Sequence, residues 1–198
     1  MVGAAAFVRI SQAAANNLVG QEQQMRHAAT HDFLTGLSNR SVLQDDFAAL
    51  SREGPFVVAC LDLDGFKAVN DVNGHAAGDE VLKTVAARLR LGVRPIDRLF
   101  RLGGDEFAIF MPSFSVLEAE VACQRLSQSL ASPMRLLNCQ AVIGASFGLS
   151  EVNSAGSDCD ETLRSADAAL YRAKSLGRGG VVSTSIPPTR LRLVNRSS

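Results

Sequence analysis

The residues best suited to chemistry in this chain are acids placed beside turns. Asp62 and Asp64 follow a continuous apolar run, Phe56-Val-Val-Ala-Cys-Leu61. At positions i and i+2 of an extended backbone, their carboxylates project to the same side. Acids beyond the carboxyl end of a buried strand lie where α/β sheets commonly present ligands. A second pair, Asp105 and Glu106, follows Gly103-Gly104 between two apolar segments. If the two turns meet, the acids form an oxygen-rich site for Mg²⁺, which keeps some water and is completed by substrate phosphates. Taken alone, Asp62-x-Asp64 reads as well as a pair of solvated loop acids.

Cations and amides extend the pattern. Lys67, Lys174 and Arg178 can offset phosphate charge, or can simply be surface cations. Gly103-Gly104 permits close approach of a phosphate to the backbone, although a glycine hairpin has steric reasons of its own. Asn70 and Asp79 can read a base edge, or can cap helices. An aspartate accepts from a ring N–H and an exocyclic amine together, the pair that guanine offers and adenine lacks. No G-x-x-x-x-G-K-[ST] stretch is present, which excludes a P-loop. The residues by themselves stop at a metal-dependent nucleotide site.

The elements that must position these groups follow from periodicity. Residues 56–61 read as a central strand buried on both faces. Ser38 or Asn39 caps a helix to about Leu50, ended by Gly54-Pro55. A helix crosses Gly78 to Leu91, with Val81, Leu82, Val85, Ala86 and Leu89 on one side. Arg98–Leu102 and Phe107–Met111 are strands joined by a tight glycine hairpin. Ser115 to about Leu130 is an amphipathic helix, 139–150 a strand, Asp160–Ser175 a helix, and Val181-Val182 a last short strand. Strands that alternate with helices but include a hairpin predict an α+β fold with a mostly antiparallel sheet. Residues 1–29, with Ile10, Ala14, Leu18, Met25 and Ala28 at near-helical spacing, form a linker helix too poor in hydrophobes to fold alone. Residues 30–182 are the globular domain, and the basic tail 183–198 is poorly ordered.

Composition bounds the partners. The chain has 198 residues, with 20 basic and 20 acidic side chains. That balance argues against nucleic acid and polybasic membrane binding. Apolar content of 46% excludes disorder. No run approaches the roughly 18 apolar residues of a membrane span. Cys60, Cys123, Cys139 and Cys159 lie far apart without zinc spacing. They read as reduced thiols in a cytoplasmic setting, open to tethering through an upstream segment.

Four segments carry a resemblance. Arg101-Leu-Gly-Gly-Asp-Glu-Phe-Ala-Ile-Phe110 resembles the signature hairpin of the GGDEF family, the diguanylate cyclases. Asp32-Phe-Leu-Thr-Gly-Leu-Ser-Asn-Arg40 resembles the family's opening motif. Leu61-Asp-Leu-Asp-Gly-Phe-Lys-Ala-Val-Asn-Asp71, with Gly74-His75 and Gly78-Asp79, resembles its metal and guanine segment. Ala166-Asp-Ala-Ala-Leu-Tyr-Arg-Ala-Lys-Ser-Leu-Gly-Arg178 resembles its closing helix. The order matches across roughly 30–182.

The resemblance implies a palm-like sheet flanked by helices, similar to nucleotide cyclases. It implies Asp62, Asp105 and the Leu63 carbonyl as ligands of Mg²⁺ (or Mn²⁺). Asp105 is also the implied proton acceptor, and Glu106 supports the site. Asn70, Asp79 and the neighbouring His75 bind guanine; Lys67, Lys174 and Arg178 hold phosphates; Asp64 shapes its turn. Arg94-Pro-Ile-Asp97 is similar to the family's inhibitory product site, with a surface ion pair as the alternative. The implied reaction joins two GTP into cyclic di-GMP in a homodimer, clamped by the 1–29 helix. Two rivals remain: an idle GGDEF domain regulating through bound GTP, and a cyclic di-GMP receptor using Arg94 and Asp97.

Overall fold

The apolar run at residue 56 becomes the middle of the sheet. In the computed structural model, which describes Met25, 27–136, 140–153 and 156–184, strand β1 (Ser38–Asn39) and a 3₁₀ turn (Arg40–Val42) lead into helix α1 (Leu43–Glu53). Strand β2 (Phe56–Asp64) is followed by helices α2 (Phe66–Asn73) and α3 (His75–Gly92). The hairpin β3 (Arg98–Gly103) and β4 (Glu106–Pro112) precedes α4 (Val116–Leu130). A small ribbon, β5 (Met134–Arg135) with β6 (Gln140–Ala141), precedes β7 (Gly144–Val152), α5 (Cys159–Ser175) and β8 (Val181–Ser183).

The main sheet runs β1-β3-β4-β2-β7-β8. The three inner pairings are antiparallel, and the two edge pairings, β1 with β3 and β7 with β8, are parallel. Alternation along β2 divides the core. Val57, Ala59, Leu61 and Leu63 pack under α3 and α4, while Phe56, Val58 and Cys60 pack under α1 and α5. The result is a sheet sandwiched between two helical layers, the palm-like α+β architecture expected.

Three local readings change. The polar segment after Asp64 forms a separate helix, α2, before α3. Asn39 caps the 3₁₀ turn through its side chain, and the α-helix itself starts at Leu43. The strand expected over 139–150 is divided into β6 and β7, and the longer piece reaches Val152. The linker helix and the tail lie outside the described residues apart from their inner ends.

Two devices fix the helices that matter for the site. Ser115 and Glu118 form a capping box at the start of α4. Arg88 of α3 donates to the carbonyls of Ser129, Leu130, Ser132 and Pro133, closing the other end of α4. On the opposite face, α5 lies directly on Gly148 of β7, where a Cβ would collide with the backbone at Ala166 and Leu170. That close approach carries the last turn of α5 over the end of β2.

Candidate active site

The register between β2 and β4 pairs Asp62 with Glu106. Asp105, in the turn immediately before Glu106, therefore sits beside the carboxyl end of β2. The hairpin strands shift register between Arg101 and Gly103, a bulge that re-aims the tip. The tip is tied down by Arg101. Its Nε and Nη2 donate to the Gly104 carbonyl at 3.1 and 2.8 Å, and its Nη1 donates to both Asp32 oxygens at 2.9 and 3.0 Å. Asp32 also accepts from the Thr35 amide at 2.8 Å and hydroxyl at 2.6 Å. Burial opposes ionisation of Asp32, but the Thr35 and Arg101 bonds outweigh it and hold the carboxyl below its ordinary range. This strut was not assigned from sequence, although both ends stand in the quoted motifs. The signal was an arginine two residues before the glycine pair and an acid in an Asp-x-x-Thr turn.

The acids are brought together as expected. Burial first, and then the negative charge of Asp62, push the Asp105 carboxyl above its ordinary range. Lys174, at the end of α5, donates to Asp62 Oδ1 at 2.7 Å. Asp64 differs from Asp62. It lies on the same face, but its oxygens are engaged by Ser146 of β7 and by the Gly179 amide, with Arg178 Nε 3.9 Å away. Glu106 lines a cavity of about 70 Å³ behind the hairpin, together with Arg40, Leu43, Cys60, Leu102 and Asp167.

The donor set suits a hard cation. Among the described residues no group of three or more acidic, His or Cys side chains is gathered as a metal site. Two carboxylates, one at the end of β2 and one in the hairpin turn, with the Leu63 carbonyl between them in the chain, leave the remaining positions to water and phosphate. Mg²⁺ favours that division over an all-protein cage. The like-charge pressure on Asp105 and the ammonium group drawn to Asp62 both mark a place where positive charge is favoured.

Asn70 packs from α2 against Gly78 of α3, where a Cβ would collide with the Asn70 amide. Asp79 follows Gly78 in α3 and is exposed, so the two base-reading candidates lie near each other where α2 and α3 meet. Lys67 and His75 are exposed on the same helices, and among the described residues no bond ties either to the carboxylates.

Arg94 and Asp97 come together at the opposite end of the hairpin, as partners of each other. Arg94 Nε and Nη2 donate to Asp97 Oδ1 at 3.1 and 2.7 Å, and the Arg94 amide donates to Oδ2 at 2.7 Å. Nη2 also donates to the Pro112 carbonyl at 2.7 Å, and the guanidinium lies 3.6 Å over the Phe114 ring. The pair is formed in this state, with Asp97 nearly sealed from solvent.

Three thiols among the described residues are quiet. Cys60, Cys123 and Cys159 are free. Burial drives the thiol pKa of Cys60 and Cys123 far up and that of Cys159 to about 11, which leaves little thiolate for reaction.

Comparison with known proteins agrees with this fold. The family profile described as "Diguanylate cyclase, GGDEF domain" matches residues 29–180. The chain is 37% identical over 171 residues to the bifunctional diguanylate cyclase/cyclic di-GMP phosphodiesterase MucR of Pseudomonas aeruginosa, covering 84% of this chain and 25% of that protein. It is 38% identical over 164 residues to the diguanylate cyclase DgcP of the same organism, covering 79% and 24%. The chain thus spans about a quarter of the length of these curated relatives. The crystal structure of the coiled coil and GGDEF domain of DgcB from Caulobacter crescentus, in complex with c-di-GMP, superposes with a TM-score of 0.81 at 29% identity, covering 90% of this chain and 97% of that one. With a family match across most of its length and the signature acids meeting at one strand end, the chain belongs to the GGDEF domain family.

Proposed function

We propose that this chain is a diguanylate cyclase, joining two GTP into cyclic di-GMP with release of two pyrophosphates. The observation that carries the reading is the register that brings Asp105 beside Asp62, with Lys174 bonded to Asp62. Asp62, Asp105 and the Leu63 carbonyl would hold Mg²⁺ (or Mn²⁺), which when bound would polarise the α-phosphate and acidify the attacking hydroxyl. Lys174 then leaves Asp62 for phosphate oxygens, joined by Arg178 and Lys67. Asn70 and Asp79 bind the guanine edge, with His75 at the rim.

Asp105 accepts the proton of the 3′-hydroxyl. Glu106 backs the hairpin. Each protomer holds one GTP, so two protomers must face each other. The dimer supplies proximity, a large part of the barrier in such a reaction. Cyclic di-GMP binds at Arg94 and Asp97 and restrains the enzyme. The chain works in a cytoplasmic setting. Among the described residues no helix is long and apolar enough to cross a membrane.

The test is incubation with GTP and Mg²⁺, followed by separation of products. Cyclic di-GMP with two pyrophosphates per molecule is expected. GTP that is bound and returned unchanged would instead mark an idle regulatory GGDEF domain.

A further inference from the structure

Asp64 stands two residues from a metal ligand yet is occupied differently. Ser146 Oγ donates to its oxygens at 3.0 and 2.9 Å, and the Gly179 amide donates to Oδ2 at 2.9 Å. Gly179 N–H also reaches Ser146 Oγ at 3.1 Å. Ser146 is fully buried, so this is a built anchor rather than a chance surface contact. It fastens the loop that leaves α5 to the ends of β2 and β7. Within that loop Arg178 has φ of 63°, a left-handed conformation that a non-glycine residue keeps only where its surroundings enforce it. Its Nε lies 3.9 Å from Asp64 Oδ1, while the side chain as a whole is 71% exposed.

We propose that Asp64 is a positioning residue for the triphosphate: it anchors the loop after α5 and aims Arg178 across the phosphate side of the site. The inference rests on the GTP reading above. It divides the Asp62-x-Asp64 pair into two roles. Asp62 faces the cation, and Asp64 faces the protein. One carboxylate satisfies the Ser146 hydroxyl and the Gly179 amide, and it orients a guanidinium without neutralising it at close range. Arg178 stays available for phosphate oxygens, which it grips in two-point fashion. The lysine that pairs with Asp62 is a point charge on a flexible stem and needs no such fixing.

The experiment compares GTP and GMP binding by calorimetry, at saturating Mg²⁺, for the unmodified protein and Asp64→Asn. Loss of the charge and of one acceptor should weaken GTP about tenfold, the scale of one charge-assisted hydrogen bond, and GMP less than about twofold. In an Arg178→Ala background, Asp64→Asn should add nothing to the loss. Hydrogen exchange at the Gly179 amide should accelerate in Asp64→Asn without any nucleotide present. If Asp64→Asn folds poorly, Ser146→Ala weakens the same anchor and should show the same selective loss at about threefold. Unchanged GTP affinity in these variants, with normal GTP binding by the unmodified protein, overturns the proposal alone. A raised Mg²⁺ requirement with normal GTP affinity at saturating Mg²⁺ would make Asp64 a metal ligand and also overturn it. Failure of the unmodified protein to bind GTP would remove the functional reading itself.

Discussion

Two ion pairs mark the two ends of the β3–β4 hairpin, and they are built differently. At the tip end, Lys174 meets Asp62 through one ammonium contact. About 20 Å away along the strands, Arg94 grips Asp97 through two guanidinium nitrogens and its own amide, with the Pro112 carbonyl and the Phe114 ring holding the fork. The Asp97 side chain is 3% exposed, against 17% for Asp62. A lysine is a point charge that exchanges partners readily, whereas a planar fork on a buried acid is a fixed unit. Under the proposed function, the first pair is opened by a cation and a triphosphate. A ligand can use the second only by displacing Asp97 from Arg94 or by stacking beside the pair. The tip therefore reads as the working end, and the far end as a structural clip that ligand must compete with.

The comparison is sharpened most by base choice. The tip end, with Asn70 and Asp79, should favour GTP over ATP by roughly 10⁴-fold, since a site built to pair with a donor rejects analogues lacking it. Competition between the two nucleotides checks this. Asp79→Ala should collapse the preference, and Arg94→Ala should leave it intact.

Next in size is turnover. Asp105→Asn removes an anionic ligand and the proton acceptor while preserving shape. Cyclic di-GMP synthesis should fall by at least about a hundredfold. Arg94→Ala should keep the initial rate within about twofold of the unmodified protein. A similar rate loss in both variants would erase the distinction between the two ends.

Product affinity comes third. Arg94→Ala should weaken cyclic di-GMP binding about tenfold, the scale of one charge-assisted contact, measured by calorimetry without GTP. The effect is reduced because the free protein already satisfies Arg94. Equal affinity would leave Arg94 and Asp97 as an ion pair only.

The smallest effect has opposite signs at the two ends. Burial, and then the charge of Asp62, raise the Asp105 carboxyl above its ordinary value. Below that value both folded and unfolded states are protonated, and Asp105 contributes nothing. As pH rises through the folded value, ionisation disfavours the folded state. At pH 7 without metal, Asp105→Asn should therefore melt slightly higher than the unmodified protein. Asp97→Asn should melt about 4 °C lower, because it breaks charge-assisted bonds to a nearly sealed group. Thermal melts of both variants side by side give the sign directly.

Much of this layout was legible in the sequence, for physical reasons. Residues 56–61 form a continuous apolar run because β2 is covered on both faces, and Gly103-Gly104 marks the hairpin through its backbone needs. The identity of the working acid was less legible. The i, i+2 spacing places Asp62 and Asp64 on one face, but only β7, some 80 residues away, supplies the Ser146 that engages Asp64. Helix α2 leaves no periodic signal in the sequence because its eight residues bury only Phe66. The sequence reads β6 and β7 as one strand over 139–150 because Val142 and Ile143 carry the apolar pattern across their junction. The Arg101–Asp32 strut spans 69 positions, a separation at which local patterning holds no information.

The most direct test of the central claim, that two such sites must face each other to join two GTP, is the rate of cyclic di-GMP formation against protein concentration at saturating GTP and Mg²⁺. The account predicts product from the unmodified protein, with a specific rate that climbs as protomers pair and then levels off. A specific rate independent of concentration under conditions where the protein is monomeric, or no product at any concentration although GTP is bound, would contradict it.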